Sequence, residues 1–311
     1  MATPNDGDSY AQGRENPLTV RCTHVNVMSL GHSGSTILSI ALGAAPGVMS
    51  VGEVSATVRR MDEPQRRCTC GETAEDCPLW SQILSDEKLR ASKSFHHAYA
   101  RLYAHALSKP ELRVIVDSSK RLCTLYERPT NQEIAAKVLF LVRDPRGFTA
   151  SYYRKQLLQR KRGRQGGQGA GQGHWLLVKD LFMAAFLWWY GNRRMLRAMR
   201  RLGMDYLVVS YERMVFEPEN VEQELSSFLG VPISLRDFSS PERNLHILRG
   251  NALRHDPERS SRLVYDYSWF YDPWVRRMGP LLSPLLAWGV RNGLLGASAR
   301  TGDVQNQDKR A

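Results

Sequence analysis

A turn rich in glycine and serine lies near the start of the chain, where Leu30–Leu38 reads LGHSGSTIL. It stands between a predicted strand and a predicted helix, so its backbone amides and the positive end of the helix can surround an anion. Ser33, Ser35 and Thr36 add hydroxyl donors. The pattern predicts a phosphate-binding loop, although a plain strand-to-helix turn capped by serine explains it about as well. Ser35, not lysine, follows Gly34, so this is not a Walker A loop.

A second anion-binding signal follows the apolar run KVLFLV, where the chain reads RDPRG from Arg143 to Gly147. Basic residues at the carboxyl end of a parallel strand face the ligand crevice of an open α/β sheet, and arginine can bind phosphate through two hydrogen bonds. Ser151 adds a hydroxyl group further along the same segment. The pair Arg143 and Ser151 is therefore predicted as a second phosphate contact, which favours the functional interpretation of the first turn.

Five short β-rich runs position these turns, and helical patterns separate them. The runs are Thr23–Leu30, Gly47–Val51, Arg113–Asp117, Lys137–Val142 and Tyr206–Ser210, with helices expected at about 146–162, 175–202 and 218–229. This alternation predicts an α/β fold, a single P-loop-like domain with a central parallel sheet flanked by helices. The domain is expected over residues 21–297, between disordered tails at 1–20 and 298–311. Six glycines between residues 163 and 173 predict a flexible Gly/Gln loop within it.

Five motifs, in this order along the chain, resemble the sulfotransferases that use 3′-phosphoadenosine 5′-phosphosulfate (PAPS): GHSGST, VDSSK, RDPRGFTAS, YERMVFEPE and HILRGNALR. The resemblance extends over Thr23–Arg254 and is nearer to the bacterial, carbohydrate and tyrosylprotein branches than to the cytosolic steroid and phenol branch. It implies in-line transfer of a sulfonate group from PAPS, the co-substrate, to a hydroxyl of an acceptor. A sugar, lipid, peptide or small molecule all remain possible acceptors. No metal is required by this scheme.

The resemblance also implies where the donor binds. The 5′-phosphosulfate loop corresponds to the glycine- and serine-rich turn, and the 3′-phosphate pair corresponds to Arg143 and Ser151. Tyr211 stands where related enzymes place an aromatic residue beside the adenosine, and a late loop resembles one that closes over the nucleotide. The donor-binding residues implied in this way are Gly31, Ser33, Gly34, Ser35, Thr36, Arg143, Ser151, Tyr211, Gly250, Asn251 and Arg254.

Three residues are candidates for catalysis. Glu53 matches the catalytic glutamate of the carbohydrate and tyrosylprotein branches, which nominates it as general base. Outside this context a carboxylate after a strand is more often a helix cap. Lys120 resembles the lysine that contacts the transferring sulfonate, where a cation offsets developing negative charge. His32 departs from the family, because most relatives carry Lys or Arg there; a protonated histidine would replace that cation in part.

The charge of the chain is strongly basic, with 43 Lys and Arg against 31 Asp and Glu and a net charge of +12. Such an excess suits polyanions, phosphorylated ligands or acidic membranes. Most of it lies between Arg154 and Arg201, where one acid, Asp180, faces twelve basic residues: Arg154, Lys155, Arg160, Lys161, Arg162, Arg164, Lys179, Arg193, Arg194, Arg197, Arg200 and Arg201. This window excludes Arg143 and the phosphate loop, so it predicts a patch that faces an anionic acceptor or a membrane surface, away from the donor.

Two other functions compete with sulfotransfer. A P-loop kinase or another nucleoside-triphosphate enzyme would share the fold, and the missing Gly-Lys pair counts against it. A basic nucleic-acid-binding protein with a non-catalytic nucleotide site would explain the charge, with nucleic acid as the less favoured partner.

The five cysteines give no reason to expect a secreted, disulfide-rich protein. Cys68, Cys70 and Cys77 could suggest zinc, but no second pair or H-x₃₋₅-H motif accompanies them, so a structural role or a reversible disulfide is favoured and no metal is expected. Without a recognisable signal or membrane span, the sequence predicts a soluble, cytoplasmic protein with reduced thiols.

Overall fold

The computed structural model describes residues 20–63, 67–127, 129, 131–163, 173–236, 238 and 243–296. Within them five parallel strands form one sheet in the order β2-β3-β1-β4-β5. The strands are β1 Cys22–Ser29, β2 Val48–Gly52, β3 Val114–Asp117, β4 Ile134–Val142 and β5 Asp205–Ser210. The five predicted strands and the predicted parallel α/β fold are confirmed. Because all five run the same way, their carboxyl ends share one edge, where the candidate residues lie.

Helices cover both faces of the sheet. In chain order they are α1 Ser35–Gly43, α2 Val54–Arg59, α3 Trp80–Leu84, α4 Glu87–Ser92, α5 Phe95–Leu107, α6 Pro145–Gly163, α7 Gly173–Arg201, α8 Tyr211–Phe216, α9 Pro218–Leu229, α10 Ser268–Tyr271, α11 Pro273–Arg277 and α12 Gly279–Arg291. Two 3₁₀ helices, Leu122–Leu125 and Ala252–His255, complete the described elements. The three helices predicted from the sequence correspond to α6, α7 and α9 within two residues at each end.

The core lies on either side of the central strand, as the alternation of its side chains requires. Val25 and Val27 of β1 pack toward α1 and α9, whereas Met28 packs toward α7 with Phe140 of β4 and Trp188. The register places Ser29 of β1 beside Leu141 of β4, and Asn26 of β1 beside Asp117 of β3. β1 therefore extends three residues further than β3 at the carboxyl edge of the sheet. The predicted phosphate loop, which follows β1, begins beyond the end of β3.

The aromatic residues of α7 divide between core and surface. Phe182, Phe186, Trp188 and Trp189 have the spacing of an apolar helical face, yet Trp188 is fully buried and Phe182 and Phe186 are each about half exposed, at 53% and 52%. Phe186 stacks on Tyr190 at 5.5 Å between ring centroids. The helical period identified an apolar stripe, and only part of that stripe faces the sheet.

Some expectations fall outside the described residues, namely those for the two tails and for most of the Gly/Gln loop. Across the part of the chain that is described, none of the helices combines the length and apolar character needed to cross a bilayer.

Candidate functional site

The predicted phosphate loop connects β1 to α1 through a backbone that few side chains tolerate. Gly34 has φ of 95°, and a Cβ atom there would lie 2.7 Å from the ring of Tyr211, so both the conformation and the packing require glycine. His32 also has a positive φ, 72°, which is uncommon for a residue with a side chain. The first amides of α1, which no helical carbonyl can satisfy, follow this turn directly. The local geometry therefore suits an anion.

Arg143 comes directly after β4, with its side chain almost entirely buried. One guanidinium nitrogen donates to the carbonyl oxygen of His32 at 3.1 Å, and the other donates to Asp266 at 3.1 Å. The guanidinium also lies over the ring of Tyr211, 4.8 Å from its centroid. Its Nε is buried without a hydrogen-bond partner among the described residues. The Nε faces Gly147, but the guanidinium as a whole lines a cavity, where a nearly buried positive charge is suited to bind an anion.

A contact between Ser151 and His32 connects the two segments that the sequence predicts to bind phosphate. The hydroxyl of Ser151, on α6, lies 3.1 Å from Nδ1 of His32, on the phosphate loop. Burial, followed by the positive charges of Lys155, Lys120 and Arg143, lowers the pKa of His32 to about 4. The imidazole is thus neutral near pH 7 in this structure, and it acts as a hydrogen-bonding group, not as the cation that the sequence analysis considered.

A cavity of about 570 Å³ opens between these residues. Six of the predicted site residues line it: His32, Gly34, Arg143, Ser151, Tyr211 and Asn251. The opposite wall was missed by the sequence analysis and comes from the segment 258–266, including Arg259, Arg262, Tyr265 and Asp266. That segment carries a pair of arginines but no recognisable motif, so the sequence offered only its local charge as a signal. We call this cavity and its lining residues the binding half of the site.

The late loop contributes unequally to the binding half. Gly250 lies close to the phosphate turn, because a Cβ atom at this position would stand 3.9 Å from the hydroxyl of Thr36. The guanidinium of Arg254 donates to the carbonyl oxygens of Leu248, Gly250 and Asn251. Arg254 therefore holds the shape of its own loop in this structure. Ser33 and Ser35 are buried in the turn, and Gly31 is exposed at its start.

The reaction half consists of Glu53 and Lys120, which follow the neighbouring strands β2 and β3. Nζ of Lys120 donates to Oε1 of Glu53 at 2.8 Å, and each side chain is roughly one-fifth exposed, at 21% and 23% respectively. Lys120 has φ of 58° and, like His32, is a residue other than glycine in the left-handed region at this edge of the sheet. Such conformations collect at functional sites because the surrounding structure must hold them in place. The sequence predicted a catalytic role for Glu53 and for Lys120 separately. In the structure the two side chains form an ion pair.

Asp117, at the end of β3, holds the reaction half in position. Its fully buried carboxylate accepts hydrogen bonds from the amides of Val54 and Ser119 and from the hydroxyls of Ser119 and Tyr99. Val54 follows Glu53, and Ser119 precedes Lys120, so one side chain connects both turns. Burial raises the pKa of Asp117 to about 6. Asp117 lies within the VDSSK motif, but the motif alone does not indicate this role.

The basic residues of the window 154–201 whose side chains the structure describes do not form one patch. Arg160 pairs with Asp180, Arg154 bonds to Ser268, and Lys155 is near enough to depress the pKa of His32. The expectation that this charge lies wholly away from the donor site is therefore wrong for Lys155. A separate groove of about 610 Å³ collects arginines of α7. Its lining residues are Leu122, Cys123, Tyr126, Trp189, Tyr190, Arg193, Arg194, Arg197, Ala198 and Arg201.

This arginine groove lies next to the reaction half. Leu122 and Cys123 follow Lys120 by two and three residues along the chain. On the other side, Gly191 of α7 packs against Leu30, which begins the phosphate loop; a Cβ at Gly191 would come within 2.5 Å of the leucine side chain. Arg193 lies over the ring of Trp189, 5.1 Å from its centroid. The groove thus presents positive charge and aromatic surface, and its lining begins two residues after Lys120 along the chain.

The chain is similar to known proteins in sequence and in fold. A family model described as "Sulfotransferase domain" matches residues 23–262. Among solved structures, the sulfotransferase domain of the Synechococcus PCC 7002 olefin synthase is 20% identical with a TM-score of 0.50, over 89% of this chain and 98% of that one. The sulfotransferase domain of the curacin biosynthetic pathway is 19% identical with a TM-score of 0.46, over 84% and 97%. A sulfotransferase from Alicyclobacillus acidocaldarius is 16% identical with a TM-score of 0.39, over 83% and 95%.

No curated protein sequence matches the chain significantly. At 20% identity, the likeness to the Synechococcus domain concerns the fold. The match to the family model covers most of the chain and is independent of that likeness.

Proposed function

From the premise that the chain belongs to the sulfotransferase domain family, we propose that it transfers the sulfonate group of PAPS to a hydroxyl group of an acceptor. One observation carries the proposal: a general-base candidate and a cation, 2.8 Å apart, share a sheet edge with a buried arginine pocket. The family makes the protein a transferase. The donor, the residue roles and the acceptor class are the parts that we propose.

Donor binding is assigned to the binding half. Arg143, which lines the cavity, would bind the 3′-phosphate through its guanidinium together with Ser151. The amides at the start of α1 and the hydroxyls of the turn would hold the 5′-phosphosulfate. Asp266 now accepts one hydrogen bond from Arg143, so a bound phosphate would compete with this carboxylate for the guanidinium. Tyr211 and Tyr265, with ring centroids 6.2 Å apart, border the space left for the adenosine.

The chemical step is assigned to the reaction half. In-line displacement at sulfur needs a deprotonated acceptor oxygen and a counter-charge for the departing phosphate oxygen. Glu53 would take the proton of the acceptor hydroxyl, and Lys120 would donate hydrogen bonds to the sulfonate oxygens as the S–O bond to the donor breaks. The neutral His32 would donate one N–H to the same oxygens, because its pKa lies well below neutral pH. Asp117 acts as a positioning residue for both turns.

The arginine groove is the proposed path for the acceptor. Four arginines of α7 line it with no acidic residue among its lining residues, so it would favour a hydroxyl compound that also carries a negative charge. Trp189, Tyr190 and Tyr126 give the same groove an apolar wall. We therefore propose an anionic, hydroxyl-bearing acceptor with a hydrophobic part. Arg160, which is engaged with Asp180, is not counted in this groove.

Calorimetry tests the donor assignment most directly. Adenosine 3′,5′-bisphosphate, the product of the donor, is titrated into the full chain, with ATP as the comparison ligand. We expect micromolar or tighter binding of the bisphosphate and much weaker binding of ATP, since the proposal assigns Arg143 and Ser151 to a 3′-phosphate. Binding of ATP without binding of the bisphosphate would instead identify a nucleoside-triphosphate enzyme.

Two further measurements address the acceptor and the remaining alternative. Incubation of the protein with ³⁵S-labelled PAPS and fractions of a cell extract identifies which fraction accepts the label. Filter binding of random-sequence DNA at two salt concentrations tests the nucleic-acid alternative, because phosphate-backbone binding falls steeply with salt. We expect labelled acceptor in an anionic fraction and no retention of DNA at the higher salt concentration.

A further inference from the structure

Three cysteines and one histidine from distant parts of the chain converge beside β2. Each of Cys68, Cys70, Cys77 and His246 offers one ligand atom, and these four atoms lie within 4.8 Å of one another. Sγ of Cys77 lies 3.7 Å from Sγ of Cys68 and 3.3 Å from Nδ1 of His246. The sequence offers no fourth ligand near the cysteines, but the fold supplies one 169 residues beyond Cys77.

Two of the six ligand-to-ligand distances match the edges of a coordination tetrahedron, and the others are no longer than 4.8 Å. With Zn–S bonds of about 2.3 Å and Zn–N bonds of about 2.0–2.1 Å, tetrahedral geometry separates two sulfur ligands by about 3.8 Å and a sulfur from a nitrogen by about 3.6 Å. The measured 3.7 Å and 3.3 Å lie close to both values. They are far longer than the bond of about 2.05 Å in a disulfide, which would moreover use only two of the four groups.

We propose that Cys68, Cys70, Cys77 and His246 form a structural zinc site. Three thiolates and an imidazole grouped within 4.8 Å are a ligand set that selects zinc over harder divalent cations. All four positions are filled by the protein, which leaves none open for water or substrate, so the site stabilises structure and takes no part in sulfotransfer. The proposal does not depend on the donor or the acceptor.

The backbone around the cysteines is already shaped for coordination. Arg67 and Thr73 form an antiparallel bridge, and the amide of Cys68 donates to the carbonyl of Glu72 at 2.7 Å, which closes a hairpin. Gly71 has φ of 99°, so glycine permits the chain to reverse directly after Cys70. The amide of Trp80 points to Sγ of Cys77 at 3.5 Å, a hydrogen bond of the kind that orients a thiolate ligand.

The proposed zinc site would fasten this hairpin to the segment that enters the donor site. Thr69 accepts from the amide of Ile247 and donates to the carbonyl of Leu245, both at 2.9 Å, and the indole of Trp80 donates to the carbonyl of His246 at 2.6 Å. Three residues after His246, the carbonyl of Arg249 accepts from the amide of Glu53 at 3.3 Å. Coordination would thus hold the segment that leads to Gly250 and supports Glu53.

Metal analysis of the purified full chain tests the proposal, with two exposed cysteines as a matched pair. Cys70→Ser removes a ligand and Cys123→Ser removes a thiol outside the cluster. We expect about one zinc per chain in the wild type and in Cys123→Ser, and a loss of most of it in Cys70→Ser. Thermal unfolding should begin at a lower temperature in Cys70→Ser and in wild type treated with a chelator, because the metal contributes to folding.

Cobalt substitution keeps the test decisive if Cys70→Ser folds poorly. Wild-type protein produced in cobalt-supplemented medium should show the visible bands of tetrahedral, thiolate-bound Co²⁺, and Cys123→Ser should show the same bands. Wild-type protein with less than about 0.1 zinc per chain and no cobalt bands would overturn the proposal. A Cys68–Cys77 disulfide found by mass spectrometry, or iron in place of zinc, would overturn it as well. Bisphosphate binding is not a readout here, so this result and that for the donor site can fail separately.

Discussion

The two halves of the candidate site differ in how firmly each holds its cation. Arg143, in the binding half, is almost fully buried and is fixed by the His32 carbonyl, by Asp266 and by the face of Tyr211. Lys120, in the reaction half, is about three times more exposed and pairs with the single carboxylate of Glu53. The planar guanidinium suits fixed recognition of a phosphate, and the flexible ammonium suits a charge that must follow a moving group.

This difference indicates that the binding half is preformed before a ligand binds, whereas the reaction half must rearrange. In the binding half, backbone atoms and rings position the arginine, so little has to be ordered when an anion binds. In the reaction half, the Lys120–Glu53 pair must open before either group meets substrate. Asp117 fixes the turns that carry both residues and leaves their side chains able to move. Changes in the two halves should therefore separate binding from turnover.

The largest effect is expected from Glu53→Gln, which removes the proposed base and keeps the size of the side chain. Turnover with the true acceptor should fall by about 10²- to 10⁴-fold, the range in which general-base catalysis contributes. The Kd for adenosine 3′,5′-bisphosphate should change by less than about twofold, since Glu53 lies outside the binding half. Steady-state rates and calorimetry measure the two quantities. Full turnover in this variant would remove Glu53 from its assigned role.

Arg143→Ala should produce the opposite pattern. Loss of a buried, charge-assisted contact weakens binding of the bisphosphate by about 100-fold, within the range measured for buried charged groups. Calorimetry gives the Kd, and Arg160→Ala serves as the control because that arginine pairs with Asp180 away from the cavity. Since Arg143 also bonds to His32, circular dichroism and the melting temperature should accompany the measurement. Equal affinity in wild type and Arg143→Ala would place the 3′-phosphate elsewhere.

How much of this site the sequence could predict depends on how its residues are connected. Short β-rich runs predict the five strands, and parallel strands bring their carboxyl ends to one edge, so residues that follow strands, such as Glu53 and Arg143, could be identified. Asp266 could not, because it reaches Arg143 across 123 residues of chain with no periodic pattern. His246 was missed for the same reason, as it meets Cys77 across an even larger separation. The helical spacing of apolar residues in α7 indicates an apolar stripe, but this spacing alone does not show which part of the stripe faces solvent.

A smaller effect is expected in the arginine groove, where Arg194 and Arg197 are exposed to solvent. Replacement of Arg193, Arg194 and Arg197 with glutamine should raise the KM of an anionic acceptor by about tenfold, because each exposed ion pair contributes less than about 1 kcal/mol. The same change should reduce the dependence of KM on salt and leave bisphosphate affinity unaltered. Kinetics at two ionic strengths measure this. An unchanged KM would leave these arginines with a role in solubility only.

The smallest effect tests His32, which lies where the two halves meet. Burial and the nearby positive charges hold its pKa at about 4, and a bound phosphate would offset those charges, so its pKa should rise when the bisphosphate binds. A group that takes up a proton on binding strengthens binding as the pH falls. Between pH 7 and pH 5 the wild type should therefore gain affinity by a few-fold relative to His32→Asn.

Asparagine is the matched replacement, because it tolerates the left-handed backbone at this position and keeps a hydrogen-bonding side chain near Ser151. Protonation of the bisphosphate itself affects both proteins equally and cancels in the comparison. Calorimetry over this pH range decides the matter: parallel profiles would mean that His32 stays neutral in the complex and that Lys120 alone offsets the charge of the transferred group.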